Sequence, residues 1–475
     1  MLMIQHTFHK EILRAYDFRG TFGQTLLNDD AEALGAALGY FLQHIEKSPN
    51  KTIVVGYDGR HSSKGLAEHL TQGLLLAGMK VIQVGLGPTP MLYFAVGHFQ
   101  AAAGIMVTGS HNPPEDNGFK VMLSNRPFFG EDIQRIGILA AQGFQLSGDV
   151  GQVEQRDVYD LYCQNLLSNI RVQRPLKVAW DCGNGAVGAI FSLLVNTLPG
   201  EHRILNDKVD GSFPCHPPDP TKPQNLVQLK EILKEGSFDL GIAFDGDGDR
   251  LVALSGSGQS LTGDQLLKFF AENFLREHPK SKIIGDLKCS DALFSVISDL
   301  GGDPIMCRTG HSFIKQMMLE TGAKLAGEVS GHYFFKDRYG GYDDGVYAAL
   351  RLMEMLAAQE FSLDHWLAHQ VETYITPEIK IPCIESYKLD VIQRLTDGLK
   401  AKGFDLMTLD GVRYSHPNGW WLIRCSNTEP MLVLRAEAAT VFDLNATLSM
   451  LEHEFVEIGV DKTLCHYDII GHYKR

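Results

Sequence analysis

The sequence predicts a multidomain α/β protein, with three successive mixed α/β domains of one design followed by a smaller α+β domain. Three observations predict it. Three short apolar strands each end in a turn that carries Asp and lead into a helix-like stretch, at residues 52–58, 177–181 and 282–286. Their β-branched residues favour strands. The terminal Asp residues, Asp58, Asp181 and Asp286, lie 123 and 105 residues apart, which is too long for a solenoid repeat and close to one domain. The last hundred residues change pattern: strand candidates at 420–424 and 431–436 flank the loop 425–430, and a helical pattern follows at 441–457.

The 475 residues suit four units, with expected spans 1–155, 156–258, 259–370 and 371–475. No low-complexity linker separates them. The net charge of −14 argues against nucleic acid, whose phosphate backbone needs a Lys/Arg surface. A small phosphate ligand stays compatible, because charges beyond about 10 Å are screened and a local basic cluster can dominate. The eight cysteines form no CxxC pair, so reduced thiols in the cytosol are expected. Residues 1–10 hold no apolar core, so no signal peptide is expected. No apolar run reaches 18 residues, so no membrane partner is expected.

The most specific motif is Phe244-Asp245-Gly246-Asp247-Gly248-Asp249-Arg250, after apolar Leu240-Gly241-Ile242-Ala243. Three Asp at alternate positions of an extended chain would project to one face. Carboxylates that close repel unless a cation neutralises them, and hard oxygen ligands suit Mg²⁺. An EF-hand loop does not fit, because Arg250 stands where the sharp-turn Gly belongs and Gly256 where the final Glu belongs. Arg250 adds a fork shaped for phosphate.

Thr108-Gly109-Ser110-His111-Asn112-Pro113-Pro114 follows the apolar stretch 102–107. The two prolines prevent a helix directly after Ser110, so a rigid loop is expected. Ser110 needs a base or a metal to act as a nucleophile. Taken alone, this stretch reads equally well as an ordinary polar turn. Lys120 follows ten residues on and could meet the same phosphate.

Gly327-Glu328-Val329-Ser330-Gly331-His332 offers a carboxylate, a hydroxyl and an imidazole suited to sugar hydroxyls and proton transfer. His311 is a weaker candidate of the same kind. Arg424-Cys425-Ser426-Asn427-Thr428-Glu429-Pro430 combines a guanidinium, hydroxyls and an amide, as a phosphate cradle would. Gly183-Asn184-Gly185-Ala186-Val187-Gly188 matches G-x-G-x-x-G and would on its own suggest a dinucleotide-dependent oxidoreductase. Nothing else in the chain suits hydride transfer.

Together and in this order, these motifs resemble the α-D-phosphohexomutase superfamily, and within it the bacterial phosphomannomutase/phosphoglucomutases. The resemblance runs from Tyr16-Asp17-Phe18-Arg19-Gly20 to the 424–430 loop. It implies three related α/β domains and a TBP-like C-terminal domain around a central cleft. It implies that Ser110 is a phosphoserine in the resting enzyme, and that Asp245, Asp247, Asp249 and the Ser110 phosphate bind Mg²⁺. Tyr16, Lys288, Glu328, Ser330 and His332 would bind substrate, and Arg424, Ser426, Asn427 and Thr428 the phosphate that is not reacting. Arg19, Lys120, Arg250, His311 and His332 would surround the reacting groups.

The implied reaction is reversible exchange between hexose 1-phosphate and 6-phosphate through a hexose 1,6-bisphosphate, which is also the activator. Hexose phosphates are the implied partners, and a cytoplasmic monomer is the expectation. Val329 and Asn427 resemble the mannose/glucose branch more than the phosphoglucosamine mutases, which remain the alternative. Val329, Cys425 and Glu115-Asp116 depart from common family residues and leave fine specificity open.

Overall fold

The computed structural model describes residues 2–426 and 430–467. The chain divides into two compact units. One comprises residues 1–284, 295–305 and 310–368, and the other 285–294, 306–309 and 369–475.

The first unit opens on a six-stranded mixed sheet of β1 (Phe18–Thr21), β2 (Thr52–Tyr57), β3 (Lys80–Leu86), β4 (Ala103–Val107), β5 (Asp116–Leu123) and β6 (Gln152–Gln155). Its order is β1-β5-β4-β2-β3-β6. Strand β4 is buried at every position, as a strand covered on both faces should be. Helices α1 (Asn28–Tyr40) and α2 (Ser63–Leu76) cross closely, and only glycine fits the crossing. A Cβ on Gly73 would lie 1.9 Å from the Glu32 carbonyl oxygen, and one on Gly35 would lie 2.2 Å from that of Leu70.

The second sheet is β8-β7-β9-β10, from β7 (Leu176–Asp181), β8 (Gly200–Leu205), β9 (Leu240–Phe244) and β10 (Leu251–Ser255). Its core stacks Trp180 on Phe244, ring centroids 6.2 Å apart. The expected strand Lys282–Asp286 forms. Farther along, β11 (Leu325–Gly327) pairs antiparallel with β12 (Tyr333–Phe335). No helix among the described residues is long and apolar enough to cross a membrane.

The second unit carries β13 (Tyr374–Ile375), β14 (Ile379–Pro382), β15 (Val412–His416), β16 (Gly419–Cys425) and β17 (Met431–Ala438) in one antiparallel sheet. Val391, Leu395 and Leu399 of the helix Glu385–Ala401 and Leu444, Leu448 and Leu451 of the helix Val441–Glu457 pack with Trp421, Ile423, Leu432 and Leu434 in its core. The two late strands run slightly longer than the sequence pattern suggests, and the last helix has the expected bounds.

One feature recurs. Each candidate loop connects two antiparallel neighbours: β4 to β5, β9 to β10, β11 to β12 and β16 to β17. The closing pairs are Val107 with Phe119, Phe244 with Leu251, Gly327 with Tyr333 and Cys425 with Leu432. Backbone hydrogen bonds at both ends of a loop fix the directions in which the chain leaves the sheet.

Candidate active site

Ser110 follows β4 and is only 2% exposed. Its φ of 50° lies in the left-handed region, unusual for a residue with a Cβ. Its amide donates to Thr108 Oγ1 (2.8 Å), and its hydroxyl donates to Asp245 Oδ2 (3.1 Å). His111 Nδ1 lies 3.3 Å from the same hydroxyl.

The three aspartates are fully buried, and one oxygen from each lies within 4.8 Å of the others. The expectation that they share one face of an extended chain is corrected by the structure. Residues 245–249 fold as a tight turn, with Gly248 at φ 74°. The Asp245 carboxylate accepts from the amides of Gly248 (3.0 Å) and Arg250 (3.2 Å), so the loop closes on its own first residue. The carboxylates converge because the chain curls.

Lys120 of β5 donates to Asp247 Oδ2 (2.7 Å) and to Asp249 Oδ2. Asp247 Oδ1 is buried with no hydrogen-bond partner among the described residues. An orphaned carboxylate oxygen beside two other carboxylates is what a metal ion would satisfy. Burial and repulsion from Asp247 and Asp249 push Asp245 well above the usual carboxylate range, which a cation would reverse. The donor set therefore fits a metal ion.

Arg250 pairs through its backbone with His332, and the Leu251 amide donates to the Gly331 carbonyl (2.9 Å), which ties the 328–332 loop to the aspartate loop. His332 Nε2 lies 3.3 Å from Asp249 Oδ1, and its Nδ1 lies 2.9 Å from Glu328 Oε2 and 2.9 Å from Ser330 Oγ. Glu328 also accepts from the Gly310 amide (2.5 Å), beside His311. The His311 and His332 rings stack with centroids 5.6 Å apart. His311 Nδ1 faces Asp343 (3.3 Å), which also accepts from Lys315 (2.9 Å). Tyr16 packs edge-on to His311 (6.5 Å), and Arg19 donates to the Gly109 carbonyl and to Asp17. One continuous network thus joins Tyr16, Arg19, Ser110, Lys120, the three aspartates, Arg250, His311, Glu328, Ser330 and His332.

The network sets distinct protonation states. Burial opposes charge on His332, but Asp249 and Glu328 raise it to about 9. Burial is likewise outweighed at Lys120, which Asp247 and Asp249 hold well above its ordinary range. Against burial, hydrogen bonding to His332 lowers Glu328 to about 2. Burial and Lys315 lower His311, despite Asp343. Burial and Arg250 push His111 well down.

The second unit holds the other candidates. Lys288 pairs with Glu378 (3.1 Å), whose carboxyl it lowers. Arg424 faces Asp410 (3.4 Å) and the Cys425 carbonyl (3.3 Å). The Ser426 carbonyl accepts from Lys388 (2.7 Å), and its amide donates to Met431 (3.0 Å). Asn427 and Thr428 lie outside the described residues.

Some residues that touch this network were not singled out from the sequence, among them Asp343 and Thr89. Asp343 lies in a Gly-rich turn with no distinguishing pattern. Thr89 reads only as the start of a helix, Thr89–His98, yet its hydroxyl donates to Asp247 Oδ2 and its amide to the Asp247 carbonyl (2.8 Å). The variant Thr89→Val keeps the shape and removes the donor. It is expected to weaken divalent-metal binding about tenfold, the worth of one hydrogen bond to a charged group, as read by calorimetric titration. The Gly183–Gly188 motif is a packing device. A Cβ on Gly185 would lie 2.8 Å from the Gly246 carbonyl oxygen, and one on Gly188 would lie 2.0 Å from that of Asp207.

The chain is similar over most of its length to proteins of known family. Four family profiles match in sequence: phosphoglucomutase/phosphomannomutase alpha/beta/alpha domains I (residues 10–143), II (160–258) and III (262–374), and the C-terminal domain (378–450). The chain is 41% identical over 458 residues to the phosphomannomutase/phosphoglucomutase of Pseudomonas aeruginosa, covering 96% of this chain and 98% of that protein. It is 41% identical to a phosphoglucomutase of Neisseria gonorrhoeae, covering 94% and 96%. A crystal structure of a phosphoglucomutase/phosphomannomutase family protein from Burkholderia thailandensis superposes with a TM-score of 0.89 at 37% identity, covering 96% and 99%. The chain belongs to the phosphoglucomutase/phosphomannomutase family of the α-D-phosphohexomutase superfamily.

Proposed function

We propose that this protein interconverts the 1- and 6-phosphates of glucose and mannose, with Ser110 as the phosphoryl carrier. The observation that carries the reading is the Ser110 hydroxyl, buried and 3.1 Å from the first aspartate of a metal-fitting triad. Family membership supports the same chemistry. The reading divides the chain into four modules, 1–155, 156–258, 259–370 and 371–475, each supplying one of the loops.

In the first half-reaction the phosphorus–oxygen bond at phospho-Ser110 breaks while a new one forms to the free sugar hydroxyl. That hydroxyl must lose its proton. His311 is suited to accept it, because burial and Lys315 keep it neutral, and its Nδ1 lies 3.3 Å from Asp343, which would balance the charge gained. Lys120 and His332 stay cationic and suit stabilisation of the transferring group, with Arg19 and Arg250 beside them. Mg²⁺ held by Asp245, Asp247, Asp249 and the Ser110 phosphate would supply Lewis-acid stabilisation of the phosphoryl oxygens. Glu328 and Ser330 offer acceptors and a donor to sugar hydroxyls, while Tyr16 and Lys288 complete the substrate contacts. Arg424, Ser426, Asn427 and Thr428 grip the phosphate that is not reacting. The hexose 1,6-bisphosphate so formed turns end for end and returns its other phosphate to Ser110. Burial of Ser110 limits hydrolysis by water.

The test is a coupled mutase assay with Mg²⁺ and a bisphosphate activator, comparing glucose 1-phosphate, mannose 1-phosphate and glucosamine 1-phosphate. Turnover of the first two well above the third is expected. A wide preference for glucosamine 1-phosphate would replace the proposed substrates. NAD(P)H should cause no fluorescence change on titration.

A further inference from the structure

The left-handed backbone of Ser110 is strained for a residue with a Cβ and persists only if its surroundings impose it. One buried side chain makes four hydrogen bonds to the loop that carries Ser110. Arg60, 2% exposed, lies just after the end of β2 and beneath the 108–116 loop. Its guanidinium carries five N–H donors, and all five are used. Nε donates to Asp58 Oδ2 (3.2 Å). One terminal nitrogen donates to the Pro113 carbonyl and to that of Asp116 (2.9 Å). The other donates to the carbonyls of Ser110 (2.8 Å) and Asn112 (2.7 Å). Four carbonyls of the Ser110 loop thus converge on one buried cation.

The anion beside it works on the same loop from the other end. Asp58 accepts from Thr108 Oγ1 (2.7 Å) and from the Gly109 amide (3.2 Å), while Thr108 Oγ1 accepts from the Ser110 amide. Both the amide and the carbonyl of Ser110 are therefore tied, directly or through one hydroxyl, to the Asp58–Arg60 pair. Space confirms the fit: a Cβ on Gly109 would lie 2.3 Å from Arg60 Cζ. The Phe213 ring lies 5.2 Å from the guanidinium carbon, and a Cβ on Gly211 would lie 2.6 Å from the Gly59 carbonyl oxygen. A loop of the second module thus closes over the pair.

We propose that Arg60, charge-balanced by Asp58, is a positioning residue that holds Ser110 in its reactive orientation toward the aspartate triad. This rests on the reading of Ser110 as the phosphoryl carrier. Arg60 touches only the backbone of the loop, so its loss should misplace the nucleophile and leave the sugar-binding groups in place. Lysine, with three donors on a point charge, cannot reproduce five bonds in a plane.

The experiment measures kcat and KM for glucose 1-phosphate in wild type, Arg60→Lys and Thr108→Val, with thermal melting and glucose 1-phosphate titration of each. Arg60→Lys is expected to lower kcat about 100-fold, the effect of an ångström-scale misplacement, with KM and sugar-phosphate affinity within about threefold. Thr108→Val cuts one tie and is expected to lower kcat about tenfold in the same pattern. If Arg60→Lys does not fold, Thr108→Val decides the matter alone. A kcat within threefold of wild type in the folded variants, or a fall in sugar-phosphate affinity as large as the fall in kcat, overturns the assignment. Absence of turnover in wild type in the same assay would instead remove the parent reading.

Discussion

Replacing Ser110 with alanine is expected to reduce mutase turnover by at least about 10⁴-fold, since loss of a covalent nucleophile leaves only binding and electrostatics. The fold should survive. The side chain is small, and the one hydrogen bond it donates, to Asp245, is worth about 1–3 kcal/mol, a shift of a few degrees in melting temperature. Arg60 and the Ser110 amide and carbonyl are untouched by the change, so the loop should keep its shape. Substrate affinity should also persist, because Glu328 and Ser330, the residues proposed to meet the sugar, make their hydrogen bonds to each other and to His332 rather than to the Ser110 hydroxyl. Intact-mass measurement supplies an independent check: wild type incubated with bisphosphate should carry one covalent phosphate, and the alanine variant none. Full turnover in the variant would sink the carrier assignment.

The sheets were legible because strand signals are local. Residues 52–57, 177–181 and 240–244 announce themselves by apolar β-branched runs, and the Asp and Ser motifs follow such runs directly. Less legible was why those loops are rigid. Each loop joins an antiparallel pair, and pairing is a long-range property; Asp116–Leu123, which follows the Ser110 loop, is also mixed in polarity. The aspartate turn shows the limit of periodicity. Alternation suggested an extended chain, whereas two glycines and three self-directed hydrogen bonds curl it. Arg60, Thr89 and Asp343 were out of reach for a related reason. Each is a single polar residue at the edge of an element, and each acts on a partner far away in the chain. The Gly183–Gly188 motif failed in the opposite direction: its glycines follow the dinucleotide pattern, but Gly185 meets the backbone of the aspartate loop and Gly188 that of Asp207.

The second large effect is expected from Asp247→Asn. Asp247 spends one oxygen on Lys120 and Thr89 and leaves the other without a hydrogen-bond partner among the described residues, so it is the carboxylate whose ligand role is most exposed to test. Asparagine keeps the shape and the acceptor but removes one negative charge. In metal-free protein two effects then oppose each other. Repulsion with Asp245 and Asp249 is relieved, and the ion pair with Lys120 is weakened. The metal-free melting temperature is therefore expected to stay within a few degrees of wild type. With Mg²⁺ the two proteins should part. At about 100 times its dissociation constant, a ligand that binds only the folded state adds about 2.7 kcal/mol, and wild type should melt correspondingly higher. The variant should gain little at the same concentration, and its turnover should fall by about 10²–10³-fold, the range for losing one preorganised electrostatic contact to the transferring group. The comparison separates charge from scaffold. An equal Mg²⁺-induced rise in melting temperature in both proteins would exclude Asp247 from the ligand set, whereas loss of stability before any metal is added would make it a structural partner of Lys120.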